Sequence, residues 1–191
     1  MKKLVQEIIA NIIADNTPPD DKWLSDFYGQ DYSPYYKLMY NLTNQLKPEL
    51  CVELGVNKGR GIASLARGCE STIVVGCDPL RLPEINVILN ICPNVRFQQR
   101  SSTDNETIEY IRSLNTKISV LHFDTEHNYG QIINEFKAYS DLLKDDAILL
   151  FDDSHACENE VKRAVQDLPI SWYCECDEMH PICGYMVGIN K

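Results

Sequence analysis

Two short runs hold the residues best suited to chemistry: Asp124-Thr125-Glu126-His127 and Asp152-Asp153-Ser154-His155. Each follows an apolar stretch, Ile118 to Phe123 and Ala147 to Phe151, with the length and composition of a buried strand. Neighbouring strands lie about 4.8 Å apart, so Asp124, Asp152 and Asp153 can converge on one small ion. Hard carboxylate oxygens suit Mg²⁺ better than zinc. Without a cation three carboxylates repel and raise one another's pKa, so a cation, a proton or an outward rotamer must resolve the cluster. The short step from Asp124 to His127 puts an imidazole just past such an ion, where it could take a proton from a hydroxyl that the ion also polarises. The plainer role for His127 is to order its loop. His155 either supports the ion or starts the next helix, and His122, inside a strand, reads as structural.

A second constellation is Leu50-Cys-Val-Glu-Leu-Gly-Val-Asn-Lys-Gly-Arg-Gly61, an apolar run ending in Glu53 and then a loop with Gly55, Gly59 and Gly61. Glycines let a backbone turn tightly and approach a ligand closely. The spacing is Gly-x-x-x-Gly-x-Gly rather than the Gly-x-Gly-x-x-Gly that cradles a pyrophosphate, which disfavours a nucleotide-dependent oxidoreductase. Asp78 closes the next apolar run, Thr72 to Cys77, about where a carboxylate would accept hydrogen bonds from ribose hydroxyls, or would cap its own turn. Ser101 and Ser102 follow a third run, Val95 to Gln99.

These residues need a sheet to bring them together, and the patterning supplies one. Apolar strands at 50–54, 72–77, 95–99, 118–123 and 147–151 alternate with helices, the fourth of which opens at Asn128 with Gln131 placed as in a capping box. That alternation implies a mostly parallel α/β sheet with helices on both faces, and ligands in such sheets bind at the carboxyl ends of the strands, where the acids fall. Two closing strands, 170–176 and 183–189, flank a turn with His180-Pro181. Ahead of the sheet stand an amphipathic helix (Leu4 to Ile13), an aromatic connection through Trp23, Phe27, Tyr28 and Tyr32, and a second helix that starts at Ser33-Pro34 and stops before Pro48. The 191 residues read as one domain, 1–191, with a helical arm at 1–47 and an α/β core at 48–191.

A net charge of −10 argues against nucleic acid and anionic membranes as partners and favours a small molecule. Gln6, Glu7 and Asn11 interrupt the first apolar run, and no stretch reaches the roughly 18 apolar residues of a membrane span, so a soluble, cytoplasmic protein is expected. Its eight cysteines are expected to be reduced thiols. Cys174, Cys176, His180 and Cys183 have a zinc-like look with non-standard spacing, and whether they bind anything stays open. The apolar first helix invites a homodimer.

The glycine loop behind Glu53 resembles the first motif of class I S-adenosylmethionine-dependent methyltransferases. Asp-x-x-His after the fourth strand, a tyrosine two residues on, an amphipathic helix, and an acidic pair followed by His narrow the resemblance. Together they are similar to the macrocin and mycinamicin O-methyltransferases and the cephalosporin-hydroxylase-like group, over roughly Leu50 to His155. The resemblance implies a Rossmann-like, doubly wound sheet of seven strands with an antiparallel last strand. It places Glu53, Gly55 and Gly59 around the methionine and ribose portion of S-adenosylmethionine, Asp78 on the ribose, and Ser101 or Ser102 at the adenine. Asp124 belongs with the cofactor and, with Asp152 and Asp153, to a Mg²⁺ site, and His127 is the base. The reaction implied is methyl transfer to a hydroxyl of a sugar-like or polyketide-like acceptor; the alternative is a non-catalytic protein that only binds the cofactor. Lys144-Asp145-Asp146 departs from the glycine-rich turn usual there.

Overall fold

The computed structural model describes residues 1–191, apart from the side chain of residue 31. Seven strands, β1 (Leu50–Leu54), β2 (Ile73–Cys77), β3 (Val95–Gln98), β4 (Ile118–Phe123), β5 (Leu143–Asp152), β6 (Trp172–Glu175) and β7 (Tyr185–Ile189), form one sheet in the order β3-β2-β1-β4-β5-β7-β6. The first five pair in parallel, and β7 is inserted antiparallel between β5 and β6. This is the Rossmann-like architecture expected, antiparallel last strand included.

Eight helices cover the sheet: α1 (Lys2–Ala14), α2 (Lys22–Tyr28), α3 (Pro34–Leu46), α4 (Arg60–Gly68), α5 (Pro83–Ile91), α6 (Asn105–Ser113), α7 (Tyr129–Tyr139) and α8 (Ala156–Asp167). Alternation along each strand sends Leu50, Val52 and Leu54 to one core with Ile132, Phe136 and Val161, and Cys51 to the other, with Leu38, Leu42 and Ile62. Of the residues that stripe α1 in sequence, Val5, Ile8, Ile9 and Ile12 are buried within this second core and Leu4 packs against it, so that face is covered by the chain itself, while Ile13 is exposed. The sequence gives no sign of α2, which lies inside the expected aromatic connection. Asp21 caps it by accepting from Leu24 N at 3.0 Å, and Tyr28 bonds Ser64 Oγ of α4 at 2.8 Å, which ties the arm to the core.

Lys144, Asp145 and Asp146 are exposed at the start of β5, where its register with β4 shifts, so the departure there alters only the surface. All eight cysteines are free. Among the described residues no helix is long and apolar enough to cross a membrane.

Candidate active site

The carboxyl ends of β1, β2, β4 and β5 meet two contiguous cavities. One, of about 360 Å³, is lined by Gly55, Cys77, Asp78, Ser101, Ser102 and Gln131 among others. The other, of about 300 Å³, is lined by Tyr35, Tyr36, Glu53, Asp152, Asp153, His180 and Cys183 among others. Asn57, Asp124 and His127 line both. A larger hollow of about 520 Å³ lies at the opposite edge, around Lys47, Asn115, Lys117 and Asp145, away from the clustered acids and imidazoles.

The glycine loop is held by its neighbours. Gly55 has φ +82°, and a Cβ there would stand 1.9 Å from the carbonyl oxygen of Asp124, so the loops after β1 and β4 can touch only through a glycine. Asp78 Oδ2 accepts from Val56 N and Asn57 N, both at 3.0 Å, and Oδ1 accepts from Leu80 N at 2.8 Å. Asp78 therefore shapes the loop, and of the roughly four acceptor positions of a carboxylate one remains for a ligand. Gly61 departs from its expected role as a turn residue. It lies in α4, and its missing side chain leaves room for Glu53 Oε1, 1.8 Å from where a Cβ would be.

Glu53 sits deeper than expected for a cofactor ligand. It is 1% exposed, on the floor of the acidic cavity rather than in the one next to Asp78, and its Oε1 lies 2.9 Å from His122 Nδ1. Parallel pairing sets Glu53 directly beside His122 and so puts both on one face of the sheet. Burial pushes the Glu53 carboxyl up, against the hydrogen bond from His122 that lowers it. For His122 burial pushes down, and the hydrogen bond and charge of Glu53, with the charges of Asp124 and Asp152, together outweigh it. Both partners end above their ordinary values.

At the mouth, His127 is clamped between two acids from different strands. Its Nδ1 lies 2.5 Å from Asp153 Oδ2, and its Nε2 is 3.2 Å from Asp124 Oδ1, an ion-pair contact without hydrogen-bond geometry. Burial pushes this imidazole down, yet the two carboxylates raise it to about 10, while burial lifts Asp124 to about 7. Asp152, nearly buried, accepts from Asp153 N and lies 2.9 Å from His180 Nδ1. Asp124, Asp152 and Asp153 thus line one cavity, with the imidazoles of His127 and His180 between them. His155 precedes α8, and its Nε2 lies 3.3 Å from Asp177 Oδ1, so it marks the helix start.

Ser101 and Ser102 both line the cavity by Asp78, but Ser102 is buried and donates its hydroxyl to Glu135 Oε1 at 2.5 Å. Thr125 Oγ1 and Gln131 Nε2 donate to the same oxygen. The Asn128 cap forms only in its forward direction, with Oδ1 accepting from Gln131 N at 2.9 Å, because the Gln131 amide is turned to Glu135 and Ser102. Burial raises the Glu135 carboxyl. Sequence reasoning passed over this residue, although its place in the Ile132, Phe136, Tyr139 stripe, an acid on a buried helix face, was the signal.

A family model described as a methyltransferase domain matches residues 52–154, more than half of the chain. The chain belongs to that family. The methyltransferase match spans β1 to the loop after β5, and so takes in every acid placed above at the strand ends.

Similar structures extend the likeness over the whole fold. A methyltransferase from Geobacter sulfurreducens is 17% identical, covers 95% of this chain and 94% of its own, and superposes with a TM-score of 0.67. An O-methyltransferase from Bacillus cereus, in complex with SAH, is 13% identical over 98% of this chain and 100% of its own, with a TM-score of 0.64. MycE, a methyltransferase of the mycinamycin biosynthetic pathway in complex with Mg and SAH, is 12% identical over 92% of this chain and 56% of its own, with a TM-score of 0.65. An uncharacterized protein of Acanthamoeba polyphaga mimivirus is 25% identical over 138 residues, 67% of this chain. The match spans 62% of the length of that viral relative.

Proposed function

We propose that this methyltransferase-family chain moves the methyl group of S-adenosylmethionine onto a hydroxyl oxygen of a small acceptor, sugar-like or polyketide-like, and that it uses a divalent cation. The observation that carries this is the pair of cavities sharing Asn57, Asp124 and His127, since a ligand in either would meet the other's at those three residues. The Asp78 side offers a carboxylate, the Ser101 hydroxyl and an amide for a nucleoside. The other side offers acids, imidazoles and the hydroxyls of Tyr35 and Tyr36 for a polar acceptor. The SAH bound by the Bacillus cereus enzyme and the Mg and SAH bound by MycE support the same assignment of ligands.

Asp124, Asp152 and Asp153 are the acids that would help hold the cation, which supplies polarisation of the acceptor hydroxyl and a lower pKa for it. The contacts of Asp124 and Asp153 with His127, and of Asp152 with His180, fit a place built to hold positive charge. His127 is the group that would accept the hydroxyl proton. Held between two carboxylates it carries a proton of its own near neutrality, so it can act as base only where other positive charge offsets those carboxylates. In this reading Glu53 and His122 support the floor rather than touch the cofactor, and Asp78 serves both its loop and the ribose.

Calorimetry with S-adenosylmethionine, S-adenosylhomocysteine and NAD tests the ligand class. Binding of the first two and not of NAD is expected; NAD binding alone would sink the proposal. A mass-spectrometric screen for methylated hydroxyl compounds then separates an enzyme from a protein that only binds the cofactor.

A further inference from the structure

The turn leading into β7 brings a thiol and a second imidazole to the acid pair. His180 Nδ1 lies 2.9 Å from Asp152 Oδ1 and 3.5 Å from Asp153 Oδ1. One ligand atom each from Asp153, His180 and Cys183 lie within 4.8 Å of one another, all three residues half-buried. Backbone bonds fix the arrangement. Gly184 N donates to His180 O at 2.8 Å and closes the turn, while His155 N donates to Cys183 O at 2.7 Å and Ser154 N to Gly184 O at 3.3 Å. Gly184 has φ +76°, and a Cβ there would stand 2.4 Å from Ser154 Oγ and 2.7 Å from the His155 ring. The His-x-x-Cys turn is therefore pressed onto the loop that follows Asp152 and Asp153.

We propose that Asp153, His180 and Cys183 form a metal site for a thiophilic divalent ion, taking Zn²⁺ in preference to Mg²⁺. The proposal rests on the reading above for the place of the metal and narrows its kind. Mg²⁺ asks for oxygen ligands in near-ideal octahedral geometry, whereas a thiolate, an imidazole and a carboxylate are a zinc donor set. Three protein ligands are also the count found where a zinc ion keeps a position open. Ligands at about 2.0–2.3 Å from a tetrahedral ion stand roughly 3.5 Å apart, so the three side chains need close by only about an ångström. On binding, metal–sulfur, metal–nitrogen and metal–oxygen bonds replace bonds from the ion to water, and the Cys183 thiol proton and any proton on the ligating His180 nitrogen pass to the buffer. The strand-end acids by themselves suit Mg²⁺; a thiolate and an imidazole beside them change the donor set.

The test is optical and does not depend on turnover. Full-length protein, reduced and freed of metal with a chelator, is titrated with Co²⁺. One equivalent should raise a thiolate-to-cobalt charge-transfer band with the visible bands of four-coordinate cobalt. Equimolar Zn²⁺ should abolish them, and Mg²⁺ in about hundredfold excess should not. Cys183→Ser should lose the charge-transfer band. His180→Ala should weaken Co²⁺ binding more than tenfold, since even loss of a supporting partner costs about 10–100-fold. Cys174→Ser should change neither, because Cys174 and Cys176 pair with each other on and just beyond β6, Sγ to Sγ 3.3 Å. A six-coordinate spectrum without the charge-transfer band, displacement by Mg²⁺, or a band that survives Cys183→Ser and disappears in Cys174→Ser would each overturn the proposal. S-adenosylmethionine calorimetry on the same protein reports separately on the methyltransferase reading.

Discussion

Replacing Gly61 with alanine tests how the end of β1 is held. In an ordinary helix the change would stabilise by about 1 kcal/mol. Here the new methyl carbon would stand 1.8 Å from Glu53 Oε1 and 2.7 Å from its Cδ. The carboxylate cannot swing into water, being 1% exposed, and moving it breaks its contact with His122. Losing a buried charge-assisted hydrogen bond costs about 1.5–3 kcal/mol, and overpacking a core costs about 1–3 kcal/mol. Less the helix gain, Gly61→Ala should destabilise by about 1.5–5 kcal/mol, read from urea unfolding. The sign should reverse in a Glu53→Ala background, where the methyl meets space and only the gain of about 1 kcal/mol remains. Equal effects in the two backgrounds, or a neutral single variant, would refute the packing of Glu53 against Gly61.

Asp78→Asn should weaken S-adenosylmethionine binding about tenfold or more by calorimetry; unchanged affinity would remove Asp78 from the cofactor site and leave it only its loop. With an acceptor in hand, His127→Ala should lose about 10²–10⁴ in turnover while cofactor affinity holds, and near-normal turnover would end its assignment as base. Glu135→Gln concerns stability against pH. Burial raises the folded-state pKa of Glu135 above its ordinary value of 4.5, so the folded chain binds more protons than the unfolded one between those values, and native stability falls as pH rises through that window. Glutamine removes the titration, so the variant should gain on the native protein as pH rises above 4.5 in urea unfolding; a constant difference would place Glu135 in a less buried setting than the structure shows.

How much of this was legible depended on whether the signal is local. Strands of apolar residues, helices with stripes and start signals such as Ser33-Pro34 and Asn128, and acids at strand ends are all properties of a few neighbouring residues, so the parallel sheet and its acid-lined edge followed from the sequence. The absence of α2 from that reading has the same cause. Its only two fully interior anchors, Leu24 and Tyr28, are one turn apart, too short a stripe to stand out, and it is held by Tyr28 reaching Ser64 far along the chain.

Local apolar patterning is enough to gather acids at one edge of a sheet; long-range packing sets what each of them does there. Pairing β1 beside β4 made Glu53, expected at the cofactor, a buried partner of His122. Packing α4 onto β1 gave Gly61 its reason, which is space for a carboxylate rather than freedom of the backbone. Inserting β7 antiparallel beside β5 carried His180 and Cys183 to Asp152 and Asp153, which no spacing along the chain foretells. In each case the deciding contact joins segments far apart in sequence, so its energy belongs to the assembled sheet and leaves no local pattern behind.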